Sequence, residues 1–205
     1  MNIAIASIGL ATAQGSVFDI THEAALRTPA QLPWLNDRRT TCHRSYRAVG
    51  VGPSLNGGER WSALARQALG ECFGGDTPSA RTPVLVASCN GAAVRFDPDN
   101  WRHAFDSKML LEGTPWAKNG LPIFSASCSS GLHALYMAKL LLLAGCSDDA
   151  VVLAVDILSQ ASHDNFEVLR LLTGTPTPWQ AESRGFIPGE AAVALRLVRA
   201  RNATG

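Results

Sequence analysis

Pro122-Ile123-Phe124-Ser125-Ala126 runs directly into Ser127-Cys128-Ser129-Ser130-Gly131 and then into the stretch from Leu132 to Ala144. There Leu132, Ala134, Leu135, Met137, Ala138, Leu140, Leu141, Leu142, Leu143 and Ala144 leave almost no polar side. The opening residues have the apolar, β-prone character of a buried strand, and the closing ones that of a helix. A strand turning straight into a helix is the repeating step of an α/β fold. A helix apolar all round is expected to be buried on all sides, and Gly145 is expected to end it.

The same alternation extends in both directions. Upstream, Pro83 to Ser88 reads as a buried strand. Glu59 to Phe73 reads as an amphipathic helix, with Trp61, Leu64, Ala65, Ala68, Leu69 and Cys72 at helical spacing and Gly74-Gly75 closing it. Asn100 to Leu111 is a weaker helix. Downstream, Val151 to Val155 is a strand, His163 to Leu172 a helix and Ala191 to Val198 a last strand. At the start, Ile3, Ile5 and Ile8 with Ala4 and Ala6 form a nearly continuous apolar run ending at Gly9, expected as a strand at the sheet centre. Strands alternating with helices argue an α/β fold with a largely parallel sheet. From Ala11 to Asn56 the chain carries Pro29, Pro33 and Pro53 and a basic cluster of Arg38, Arg39, Arg44 and Arg47, read as a solvated loop face in preference to a contact with an anionic ligand.

Length and composition bound the function. The 205 residues, 46% hydrophobic and 17% charged, suffice for one domain over 1–205 with a core of its own. Eighteen basic against 17 acidic residues give a formal charge of +1, so there is no electrostatic case for nucleic acid or an anionic membrane. Cys42, Cys72, Cys89, Cys128 and Cys146 are odd in number and widely spaced, which suits free thiols in a reducing cytoplasm. No Cys-x-x-Cys pair suggests zinc, and no metal or cofactor is expected. The apolar stretch around Leu140 to Ala144, interrupted by Lys139 and His133, is too short to span a bilayer. The opening Met1 to Gly15 lacks the basic residue that precedes the apolar run of a signal peptide, and reads as a strand.

Cys128 is the residue with the most chemistry to offer. Where a strand turns into a helix, its sulfur is expected to face unpaired backbone N–H groups and the positive end of the helix dipole, both of which favour a thiolate nucleophile. Its own N–H could donate to a tetrahedral oxyanion. Position alone leaves a second reading equally open, that of a small buried apolar residue. His133 lies five residues on, away from the sulfur, and His22, His43, His103 and His163 have no spacing that suggests a metal site or a dyad.

Ser125 to Leu135 with its alanine- and leucine-rich helix resembles the nucleophile region of β-ketoacyl synthases of the thiolase superfamily. Val152 to Ser159 resembles the strand that follows, Phe166 to Leu172 the next helix, and Arg184-Gly185-Phe186-Ile187-Pro188-Gly189-Glu190-Ala191-Ala192 the family's glycine-glutamate motif. Ile3 to Gly15 resembles its opening strand and turn. The resemblance implies the amino-terminal half of the layered αβαβα thiolase-like fold, the carboxy-terminal half being absent. It implies Cys128 as acceptor of an acyl group from an acyl carrier protein or coenzyme A thioester, in fatty acid or polyketide biosynthesis. Ser127, Ser129, Phe186, Gly189 and Glu190 are implied as oxyanion or structural support, Glu190 as a buried carboxylate whose partners matter more than its reactivity. Gly185 and Gly189 are expected where positive φ or close backbone approach is needed, and Asp156 as a loop-capping carboxylate at a strand end. The family's catalytic histidines lie in its second half, and no His-Gly-Thr-Gly segment occurs here. That implies a partner, either a second thiolase-fold subunit or another copy of this chain, to cover an exposed apolar helix face and supply histidines. An enzyme subunit of a split synthase and a non-catalytic, chain-length-factor-like subunit that shapes a partner's acyl tunnel both fit that description.

Overall fold

A computed structural model describes residues 2–17, 29–31, 40, 42–52, 55, 57–93, 103–177 and 180–200. Its core is a four-stranded sheet in the order β1 (Asn2–Ala11), β6 (Ala191–Ala200), β5 (Asp149–Asp156), β4 (Val84–Ala87). A small antiparallel pair, β2 (Ala30–Gln31) and β3 (Arg44–Ser45), lies apart from it. β4 and β5 run parallel, while β6 runs antiparallel to both its neighbours, so the sheet is mixed and not largely parallel as expected. Beyond β4 the chain at 119–124 continues the sheet as an irregular parallel edge. Val84 N–H donates to Asn119 O at 2.9 Å, Leu121 N–H to Val84 O at 2.9 Å and Phe124 N–H to Val86 O at 2.8 Å. The strand expected at Pro122 to Ala126 is thus a ladder of isolated bridges.

Alternation along the strands divides the core into two. Val84, Val86, Val151, Leu153, Ala192 and Ala194 face α1 (Gly57–Phe73), against its buried Trp61, Leu64, Ala68 and Leu69. Leu85, Ala87, Ala150, Val152 and Leu197 face the opposite way, against Ala134, Ala138 and Leu142 of α3 (Ser130–Leu143). Each fully buried large side chain contributes about 2 kcal/mol of hydrophobic stabilisation. α1 crosses β1 at Gly9, where a Cβ would lie 1.9 Å from Ala68 O. Glu71 of α1 accepts from Leu10 N at 2.6 Å and Val17 N at 2.9 Å, satisfying donors at the free edge of β1 and just beyond it.

Several expectations change. β1 is the edge and not the centre of the sheet: Ile5 is 57% and Ile8 42% exposed, and only Gly9 and Ala11 are buried. A continuous apolar run fits an edge strand whose outer face awaits a cover equally well. α3 buries Ser130, Ala134, Ala138 and Leu142 alone, one residue per turn, and leaves Leu132 69% and Tyr136 62% exposed. The expected exposed apolar face is present, and burial on all sides is not. α2 is a single turn, Ser107–Leu110, capped by Asp106 accepting from Lys108 N and Met109 N; His103 and Ala104 ahead of it are helical too, so within its described part the helix expected over Asn100 to Leu111 is interrupted at 105–106. Residues 94–102 lie outside the described residues, as do His22, Pro33, Arg38, Arg39 and Pro53. α4 spans Gln160–Val168, starting ahead of His163 because Ser159 and Ser162 form a reciprocal cap, and Arg170 at φ 55 follows its end. Among the described residues no helix is long and apolar enough to cross a membrane.

Candidate active site

The carboxyl ends of β4, β5 and the irregular 119–124 edge lie at one end of the sheet, and the chain leaving that edge turns at Ser125 to Ser129 into α3. Cys128 sits in this turn, two residues before the first helical residue, with an exposed thiol. The buried-cysteine reading does not hold. Ser127 adopts the left-handed region at φ 53, a conformation that costs a residue bearing a Cβ about 1 kcal/mol and needs compensating contacts. The compensation comes from hydrogen bonds. Ser129 N–H and its hydroxyl both donate to Ala126 O, at 3.2 and 2.7 Å, and Ser130 N–H donates to Ser127 O at 3.1 Å. Two of the amides that the helix start was expected to aim at the sulfur are therefore spent inside the turn. The Cys128 N–H has no hydrogen-bond partner among the described residues.

A second segment, Ser88 to Gly91, packs beside the turn. Its anchor is Asp156 at the end of β5, whose Oδ1 accepts from Ser88 Oγ at 2.8 Å, Cys89 N at 2.8 Å and Asn90 N at 3.3 Å. Burial raises the Asp156 carboxyl above its ordinary range, against the pull of those three donors. Ser88 Oγ also accepts from Gly91 N at 2.8 Å. Gly91 is required there: its φ is 56, and a Cβ would meet Ala104 O at 2.1 Å. Cys89 Sγ lies 4.0 Å from Ser127 Oγ, and Ser125 Oγ donates to Cys89 O at 3.4 Å. Burial pushes the Cys89 thiol up; the Asp156 carboxylate and Cys128 add to the effect, and the Ser127 hydrogen bond opposes it.

The remaining candidates lie elsewhere or play supporting parts. Glu190 is buried and accepts from Arg60 Nε at 2.7 Å and Ala48 N at 2.9 Å, with a further short bond from Arg60 Nη2. Arg60, itself 2% exposed, also donates to Gly52 O at 2.9 Å, which completes a hydrogen-bonded buried pair. Arg47 stands 3.8 Å from Glu190 with its pKa lowered by burial and by Arg60, so it is part of this cluster and not of a solvated loop face. Gly189 lies against Tyr46, where a Cβ would sit 3.2 Å from Tyr46 Cβ, and Gly185 has φ 148 and no room beside Leu171 O. Phe186 stacks edge-on against Phe166 with centroids 5.0 Å apart. Among the described residues no hydrogen bond joins Gly189, Glu190 or Phe186 to the Cys128 turn. His133 is exposed with Nδ1 2.9 Å from Ser129 O, and buried His163 has Nε2 3.2 Å from Cys42 O. Neither bonds the thiol. Ser88, Cys89 and Ser130 escaped the sequence reading, although strand ends at the carboxyl edge of parallel strands, where sites gather, were the available signal.

Residues 122–203 match the family model described as Beta-ketoacyl synthase, N-terminal domain, a segment that takes in the turn, α3, β5, α4 and β6. Comparison with curated proteins finds no match. Among solved structures, a β-ketoacyl synthase from Burkholderia phymatum superposes with a TM-score of 0.74 at 18% identity, over 96% of this chain and 58% of that one. A chain from the complex of a ketosynthase with its chain length factor from Xenorhabdus doucetiae gives 0.72 at 22% identity, over 98% and 58%. A chain from a type II polyketide synthase acyl-carrier protein in complex with its ketosynthase gives 0.73 at 18%, over 96% and 57%. The chain thus spans under two thirds of the length of these structures. Its α/β fold is that of these ketosynthase structures, and its segment 122–203 carries the pattern of the β-ketoacyl synthase N-terminal domain.

Proposed function

We propose that this chain is the acyl-accepting part of a β-ketoacyl synthase, with Cys128 as the nucleophile. The observation that carries the reading is the exposed Cys128 thiol in the turn before α3, beside a backbone N–H with no partner among the described residues. The Cys128 thiolate attacks the carbonyl carbon of an acyl thioester. The Cys128 N–H donates to the oxyanion that forms, the donor C–S bond breaks, and the donor thiolate leaves and takes up a proton. The product is an acyl-Cys128 thioester and the free thiol of an acyl carrier protein or coenzyme A. A carbon–carbon bond with a malonyl thioester then needs groups that assist decarboxylation and stabilise the enolate. Those groups come from a second thiolase-fold subunit or further chain, and the neighbours that pair a ketosynthase with a chain length factor, or with an acyl carrier protein, support such partners.

The tunnel-shaping, non-catalytic role has one observation in its favour: among the described residues no histidine bonds the thiol. Incubating the chain with an acyl-carrier thioester, or with cerulenin, and mapping the adduct by mass separates the two. Selective labelling of Cys128, lost in Cys128→Ser, is expected. Labelling spread evenly over Cys89, Cys128 and Cys146 would remove the nucleophile, and a condensing complex that keeps full activity with Cys128→Ala would make the chain a tunnel-shaping subunit.

A further inference from the structure

The direction of the Cys128 N–H is fixed by the carbonyl of Ser127, because the two belong to one peptide unit, planar and trans, and point opposite ways. Whatever holds Ser127 O therefore aims the Cys128 N–H. Ser130 Oγ donates to Ser127 O at 2.6 Å and accepts from Ala126 N at 2.8 Å, bracing the turn across the left-handed Ser127. The same hydroxyl lies 3.4 Å from Ser88 O, on the segment that Asp156 anchors. Ser130 is 4% exposed, so water does not readily replace these contacts. Among the described residues the only other group holding Ser127 O is Ser130 N–H, a longer contact at 3.1 Å.

Resting on the nucleophile reading above, we propose that Ser130 is a positioning residue: its hydroxyl fixes the 127–128 peptide so that the Cys128 N–H meets the oxyanion of the acyl-transfer step. It does not touch the reacting atoms. Without it, only the longer Ser130 N–H contact holds the 127–128 peptide in an orientation that the left-handed Ser127 already disfavours.

Two reactions of the same thiol test the role. Acyl transfer from hexanoyl coenzyme A passes through an oxyanion, whereas alkylation by iodoacetamide is a direct displacement at carbon and forms none. In the full chain, Ser130→Ala is expected to slow Cys128 acylation by about 10- to 100-fold while alkylation stays within about twofold. Ser130→Thr, which keeps the hydroxyl, is expected to restore most of the acylation rate. Should Ser130→Ala lose its folded circular dichroism, Ser130→Cys keeps the shape, weakens both bonds and reads the same ratio. Unchanged acylation in a folded variant, or a parallel fall in both reactions, overturns the positioning role while leaving Cys128 as the nucleophile. A wild-type Cys128 that alkylates but never acylates overturns both.

Discussion

Three donors, the Ser88 hydroxyl and the Cys89 and Asn90 amides, converge on a single oxygen of Asp156. Asparagine in its place keeps that oxygen and gives up the charge. Because burial raises the folded-state pKa of Asp156, the folded chain binds its proton more tightly than the unfolded chain does. The stabilisation from that proton is fully present below the ordinary carboxylate pKa and is lost as pH rises through the raised folded value. Asp156→Asn is therefore expected to gain stability relative to wild type as pH rises above the ordinary carboxylate range, as read by urea unfolding at several pH values. Asp156→Ala strands the three donors and is expected to lose about 2–4 kcal/mol. Equal stability of the Ala and Asn variants would mean that the segment from Ser88 to Gly91 is held by something else. Asp156 was legible as a capping carboxylate at a strand end, but its partners were not, since Ser88 and Ser130 meet only when the ends of β4 and the 119–124 edge lie side by side.

Among the elements, those with an unambiguous period were legible: α1, α3, β5 and β6 fall where their apolar spacing puts them, within a few residues at each end. β1 was misplaced because periodicity reports which faces are apolar and not what covers them. The start of α4 was missed because its cap, Ser159 with Ser162, lacks the acidic third residue that usually marks a capping box. The contact that seats α1 on β1 was invisible for a further reason: it depends on an absent side chain. At Gly9 a Cβ would lie 1.9 Å from Ala68 O and 2.5 Å from Cys72 N, both backbone atoms of a helix that cannot deform locally. Gly9→Ala must push α1 away from β1 and open the packing around Leu64, Ala65 and Ala68, at an expected cost of about 2–3 kcal/mol. Thermal melting checks this against Gly70→Ala, which sits in the same helix with nothing within 4 Å of its Cβ and is expected to be neutral or stabilising. Equal melting temperatures for the two variants would refute the close crossing.

At the scale of the whole molecule, the two faces of the sheet are unequally served. α1 covers β1, β5 and β6 on one side, while on the other α3 lies over β4 and β5 and leaves Ile5 and Ile8 open. The outer side of α3 adds Leu132, Tyr136, Met137, Leu140 and Leu143 to the open apolar surface. An apolar area of that extent is expected to drive association of the chain, with copies of itself or with a thiolase-fold partner. Leu132 and Tyr136 lie four residues apart on one helical face, so Leu132→Lys with Tyr136→Glu places charge in the middle of it and adds an opposite-sign pair. If the face is open in the isolated chain, the double variant is expected to melt within a few degrees of wild type, since neither side chain gives up core packing. In a covered core each would cost about 2 kcal/mol. Sedimentation velocity is expected to show wild type associating as concentration rises and the variant staying monomeric. A variant that melts far below wild type would place these two side chains against a cover within the chain itself, and association unchanged by the two charges would move the contact to another face.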